Sequence, residues 1–190
     1  MHSIHLLELN GKRVRIRPPR LEDRREFTSL VRSSRHFLKR WASPPVDAHR
    51  FAEYLARNRR DDFVAFLICA RRDEGILGAA DLSQIFHRNF QSAYLGYWIG
   101  APFAREGYMR EGLELVLYTA FRTHHLHRVE ANVQPENTSS QALLVRLGFR
   151  LEGYSPRYLK IGGRWRDHER WALLREEWVD GQRRSKDAGH

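Results

Sequence analysis

Between Ala104 and Glu111 the chain reads AREGYMRE, a glycine among charged residues, set just ahead of an apolar helical repeat. Leu113, Val116, Leu117, Ala120 and Phe121 follow at i, i+3, i+4, i+7 and i+8, one buried helix face. The first turn of such a helix carries unpaired N–H donors. Gly107 permits a backbone geometry that a side chain would block, and it allows a ligand close approach. The amides from Glu106 to Glu111 therefore suit an anion such as a pyrophosphate, with Arg105 and Arg110 adding charge.

Other reactive residues give less. His124, His125 and His127 lie together after this helix, where the dipole favours cations without any metal. Neither an acidic partner nor a second cysteine stands at ligand spacing, so no metal is expected. Cys69 reads as a small buried hydrophobe. The sequence holds no hydrolase triad, no Walker loop and no Gly-x-Gly-x-x-Gly.

The elements that must position the loop follow from periodicity. Val14 to Pro18 alternates as a first strand, with Arg13, Arg15 and Arg17 on one face. Leu21 to Arg32 and Asp47 to Asn58 read as helices, the second capped by Asp47. Val64 to Ala70 is a continuous apolar run that suits a central strand. Ile76 to Phe86 and Ala93 to Ile99 supply two more strands ahead of the loop. HRVEANV is a strand, and NTSSQALLVRLGF is a short helix stopped by Gly148. RLEGYS, RYLKI and RWRDHERWALL close the domain as strands, with Gly162-Gly163 as a hairpin turn. One α/β domain with a mixed sheet results, spanning residues 1–179, and the polar stretch 180–190 reads as a disordered tail.

Composition bounds the setting. With 42% hydrophobic residues the 190-residue chain can bury one full core. No apolar run reaches the ~18 residues of a membrane span. The start lacks a signal-peptide pattern, and one cysteine cannot form an internal disulfide; both point to the cytoplasm. The net charge of +10 either concentrates anionic partners or is solvated surface.

Three ordered blocks carry a resemblance: SAYLGYWIGAPFAREGYMREGL, HRVEANVQPENTSSQALLVRLGFRLEG and YLKIGGRWRDHERWAL, together Ser92 to Leu173. They resemble the GNAT N-acetyltransferases of the RimJ/RimL type, which acetylate N-terminal residues of ribosomal proteins. The third block and HRVEAN look closer to the RimJ branch. The resemblance implies a mixed, mostly antiparallel twisted sheet with a splayed parallel strand pair, flanked by about four helices. Acetyl-CoA would enter the gap between Ala93–Ile99 and Arg128–Val133. The family's phosphate loop reads Gln/Arg-x-x-Gly-x-Gly/Ala; here Gly107 matches, while Ala104 and Met109 depart from it.

The resemblance further places the cofactor against Trp98, Ile99, Arg105, Glu106, Gly107, Tyr108, Met109, Arg110, Asn137 and Ser140. A backbone N–H near Trp98 or Ile99 would hold the oxyanion, and Ser140 would assist the departing thiolate. RimL-like enzymes carry a glutamate where this chain has about Ala101, so Glu130, with Glu111 behind it, stands in as base. Tyr154 and Tyr158 are candidate acids or groove walls. The expected activity is acetyl-CoA-dependent transfer to an amine, foremost the α-amino group of a ribosomal protein. The alternatives are a small-amine acetyltransferase, or a ribosome-associated binding protein with little activity. Salt-sensitive ribosome association is expected through Arg13, Arg15, Arg17, Arg57, Arg59 and Arg60, and a homodimer is left open.

Overall fold

The computed structural model describes residues 8–187, with side chains described as far as Arg183. Its eight strands form one sheet: β1 (Leu9–Asn10), β2 (Val14–Arg17), β3 (Phe63–Ala70), β4 (Ile76–Phe86), β5 (Ser92–Ile99), β6 (Arg128–Val133), β7 (Arg150–Ile161) and β8 (Arg164–Leu174). The spatial order is β1-β2-β3-β4-β5-β6-β8-β7. Every neighbouring pair is antiparallel except β5–β6. Six α-helices flank it: α1 (Arg24–Ser33), α2 (Arg35–Leu38), α3 (Ala48–Arg57), α4 (Tyr108–Tyr118), α5 (Thr138–Arg146) and α6 (Arg175–Asp187).

The continuous apolar run of β3 is explained by burial on both faces. Val64, Phe66 and Ile68 point into a large core with Leu113, Val116 and Phe121 of the α4 side. Ala65, Leu67 and Cys69 point into a second core with Phe27, Phe51 and Tyr54 of α1 and α3. The two sheet faces are thus covered by different helices; the α1–α3 core reaches Trp98 of β5, while the α4 core continues across β6 and β8 through Val129, Ala131 and Leu173. As expected, Asp47 caps α3, its Oδ1 accepting from Arg50 N at 2.9 Å.

Several elements differ from the expectation. About four helices were expected; the one-turn α2 and the terminal α6 raise the count to six among the described residues. The polar stretch from Asp180 continues α6 as far as Asp187, because Trp178 anchors the helix in the α4 core; residues 188–190 lie outside the described residues. Leu21–Asp23 is a 3₁₀ turn that leads into α1. RLEGYS and RYLKI form one strand, β7, whose register against β8 shifts twice. Phe121 falls in a wider π turn, Thr119–Thr123, after α4.

Candidate active site

The parallel pair is short. Only Ser92, Ala93 and Tyr94 of β5 pair with β6, opposite Arg128, Val129 and Glu130. Beyond Tyr94, β5 stays with β4 through Ile99, while β6 stays with β8 through Val133. The two strands diverge, and a cleft of about 830 Å³ opens between them.

Strand alternation identifies which backbone groups face that gap. Gly100 N–H bonds Leu77 O toward β4, whereas Gln91 O accepts from His127 and Arg128 on the β6 side. Residues two apart point the same way. The N–H groups of Tyr97 and Ile99 therefore face the gap, and that of Trp98 faces β4. Of the two oxyanion donors expected from the sequence, Ile99 is presented and Trp98 is not.

The loop after β5 reaches the cleft through Arg105, Gly107, Met109 and Arg110. Gly107 is the N-cap of α4 with φ +82°, in the left-handed region. The first bond of this helix runs from Glu111 N to Gly107 O, so the amides of Tyr108, Met109 and Arg110 precede it. Glu106 and Tyr108, expected at the cofactor, turn to Arg13 instead. Its guanidinium donates to Glu106 O at 3.0 Å and stacks 4.7 Å from the Tyr108 ring centroid.

Glu111, the reserve base, is a clamp between α4 and β2. Its carboxylate accepts from Arg13 N (2.5 Å), Val14 N (3.2 Å) and Arg13 Nε (3.1 Å). Burial opposes its charge, but these bonds prevail and hold its pKa below the ordinary range.

Asn137 and Ser140 meet the cleft at the start of α5. Asn137 Oδ1 caps the helix by accepting from Ser140 N at 3.2 Å. Ser140 Oγ lies 2.5 Å from Tyr97 Oη. Burial pushes the Tyr97 phenol up to about 12, against the opposing pull of Ser140, so it stays protonated at neutral pH. On β6, Asn132 lines the cleft with a buried Oδ1 that has no partner among the described residues. A buried carbonyl left this way favours a ligand that brings a donor. Tyr97 had drawn no notice in the sequence, because as one aromatic in an alternating strand it reads as core.

The other sheet face holds different chemistry. Asp81 on β4 stands opposite Gly96 on β5 and lines the cleft with Phe27, Tyr54, Arg57 and Trp98. A Cβ on Gly96 would sit 3.2 and 3.3 Å from the two carboxyl oxygens, so glycine leaves Asp81 its room. Burial raises the Asp81 pKa to about 7, with Arg57 pulling the other way. The signal was present in the sequence: Asp81 is the only charged residue of ILGAADLSQIF. His168 on β8 also reaches the cleft; burial keeps its pKa below the ordinary value.

Glu130 and Tyr158 are not brought there. Glu130 pairs with Tyr94 in the closed part of the strand pair, and its carboxylate accepts from Arg128 Nε at 2.7 Å. Arg128 also holds Glu152, so the group is a strand-to-strand ion network. Tyr158 neighbours Tyr94, and its ring centroid lies 6.3 Å from that of His168. Tyr154 is exposed and donates to Asp167.

Five of the six arginines expected to meet the ribosome have partners within the chain, and Arg59 is exposed. Arg17 is buried in a two-bond pair with Asp23, at 2.7 Å each, and Arg15 pairs with Glu74. Arg13 is tied to Glu111, Arg57 covers the Phe63 ring at 4.1 Å, and Arg60 pairs with Asp62.

Comparison with known proteins agrees with this geometry. The family model described as "Acetyltransferase (GNAT) domain" matches residues 13–150. The chain is 33% identical over 188 residues to the [ribosomal protein uS5]-alanine N-acetyltransferase of Escherichia coli, covering 95% of this chain and 97% of that protein. It is 32% identical over 174 residues to the probable N-acetyltransferase YjcK of Bacillus subtilis, covering 87% and 96%. Among solved structures, Mycobacterium smegmatis RimJ in complex with CoA-disulfide superposes with a TM-score of 0.84 at 27% identity, covering 96% of this chain and 98% of that one. A GNAT model matched over most of the chain, a relative of one-third identity along its whole length and a sheet that splays between β5 and β6 agree: the chain belongs to the GNAT family of N-acetyltransferases.

Proposed function

We propose that this enzyme transfers the acetyl group of acetyl-CoA to the N-terminal α-amino group of a ribosomal protein. The observation that carries the transfer is the splayed β5–β6 pair, with unpaired strand edges facing the cleft between a phosphate-ready loop and the Ser140–Tyr97 pair. The near full-length similarity to a uS5-alanine acetyltransferase supports the acceptor.

Each part of the cleft has a task in this reading. The backbone edge of Tyr97 and the Ile99 carbonyl pair with the amides of the pantetheine arm, and Asn132 Oδ1 accepts from a donor there. The α4 amides of Met109 and Arg110, with the Arg105 and Arg110 side chains, hold the pyrophosphate. Bound acetyl-CoA supplies an acetyl group activated as a thioester. Ile99 N–H donates to the carbonyl oxygen where negative charge develops. Ser140 Oγ–H, polarised by the Tyr97 phenol, donates to the departing sulfur. Departure of Ala104 and Met109 from the family pattern removes no backbone donor.

The acceptor enters from the opposite sheet face, past Trp98 and Tyr54. One carboxyl, Asp81, beside the cation of Arg57 suits a single ammonium on a peptide better than a polyamine. The net charge of +10 supports salt-sensitive approach to ribosomal particles as a property of the whole surface. Thiol release with peptides beginning Ala or Ser, set against spermidine, tests the acceptor. Preference for spermidine would replace this reading with the small-amine one.

A further inference from the structure

We infer that Asp81 binds the ammonium of the acceptor and takes its proton as the amine attacks, the role the sequence had given to Glu130. The inference rests on the N-terminal acetyltransferase reading above and assigns the base within that site.

Attack on a thioester held along β5 must come from beside the gap. Glu130 lies in the closed part of the strand pair, ion-paired to Arg128. Glu111 is spent on Arg13 and Val14. Asp81 instead stands one strand away from the gap, in register with Gly96, two residues after the divergence begins. Its carboxyl faces the cleft over a residue with no side chain, and a Cβ there would crowd both oxygens. Among the described residues it enters no ion pair or hydrogen bond, so its oxygens are free for a ligand.

The surroundings fit an ammonium. Trp98, Phe27 and Tyr54 form an aromatic wall, with Phe27 and Trp98 edge-on at 5.2 Å. Aromatic faces and one carboxylate together favour a small cation. The groups that face Asp81 are Tyr54 and Arg57 from α3 and Gly96 and Trp98 from β5; only Arg57 is charged. Arg57 keeps part of the carboxyl population ionised against its burial.

The step balances. The ammonium proton passes to a carboxylate oxygen of Asp81, and the freed nitrogen lone pair forms the N–C bond to the acetyl carbon. Asp81 passes that proton to water and takes the second proton from the nitrogen of the adduct as the C–S bond breaks, and sulfur receives the Ser140 hydroxyl proton. Asp81 then loses its proton to water, and Ser140 is reprotonated from solvent.

The test uses the full chain with an alanine-initial peptide and a matched peptide bearing an aminooxy group in place of the α-amine. The aminooxy group is weakly basic and neutral at the assay pH. Asp81→Asn should lower kcat/KM for the amine peptide by roughly 100-fold or more, the usual range for loss of a general base. It should lower it far less for the aminooxy peptide, and acetyl-CoA affinity by calorimetry should hold. Gly96→Ala, which crowds the carboxyl without removing it, should impair the amine peptide in the same direction. If the wild type acetylates no peptide, the acceptor reading fails. If the wild type is active and Asp81→Asn stays within threefold, or both acceptors lose equally, the assignment of Asp81 is overturned while the acceptor reading stands. If His168→Asn alone shows the selective loss, the base is His168.

Discussion

Substitution of Gly107 separates ligand binding from fold stability. At φ +82° an alanine would be strained by about 1–2 kcal/mol, the cost of a left-handed L-residue. Its Cβ would also stand 3.1 Å from Arg13 Nη2, so the Arg13–Glu106 contact must shift. Relief of that strain turns the backbone and re-aims the amides of Met109 and Arg110. Hydrogen bonds to charged groups are each worth about 1.5–3 kcal/mol. Loss of one aimed donor should therefore weaken acetyl-CoA binding roughly 10- to 100-fold. The control is Gly148→Ala. Gly148 has φ +89° and ends α5, so it bears similar strain, yet it does not line the cleft. Both variants should shift the denaturant midpoint by similar amounts, and only Gly107→Ala should lose affinity by calorimetry. Equal affinity in the two variants would remove the loop from the cofactor site.

The remaining expectations concern other parts of the site and its supports. Tyr97→Phe and Ser140→Ala should each lower kcat more than acetyl-CoA affinity, and the double variant should cost less than the product of the two, because they act through one hydrogen bond; additive losses in rapid-quench kinetics would refute the pairing. Asp23→Ala leaves the buried Arg17 cation without its partner and should destabilise the fold by about 3–5 kcal/mol in urea. Glu111, held below the ordinary carboxylate range, contributes stability that is present above its unfolded pKa and lost as pH falls through the folded one. Glu111→Gln should accordingly lower the melting temperature at pH 7 and converge on the wild type in acid. Asp81 has the opposite sign, raised to about 7, so its penalty grows from its unfolded pKa upward and is complete above pH 7. Asp81→Asn should melt higher than the wild type at pH 8, with the gain shrinking toward pH 4.

Much of this was legible in the sequence because periodicity reports burial. The α4 face, the doubly buried β3 and the β5-loop-α4 unit follow from side-chain spacing alone. So does the cap at Asn137, which the structure combines with a place on the cleft wall. The proposed base was not legible. Glu130 and Asp81 are both lone acids in alternating strands; Arg128, two residues from Glu130 on the same strand face, was a readable ion partner, whereas only the sheet register places Asp81 opposite Gly96. The partners of the β2 arginines were hidden for the same reason. Alternation put them on one face, but the acids that neutralise Arg17 and Arg15, Asp23 and Glu74, come from elsewhere in the chain. Helix α6 was missed because its window is polar, and a single buried tryptophan, Trp178, fastens it.

Acetyl transfer to a protein N-terminus is tested by one competition. A peptide with an N-terminal alanine and an internal lysine is incubated with acetyl-CoA and enzyme, and tandem mass spectrometry locates the acetyl group. The proposed function predicts a single acetyl group on the α-amine, with the lysine untouched. Acetylation of the lysine instead, or no transfer while acetyl-CoA binds, would contradict it.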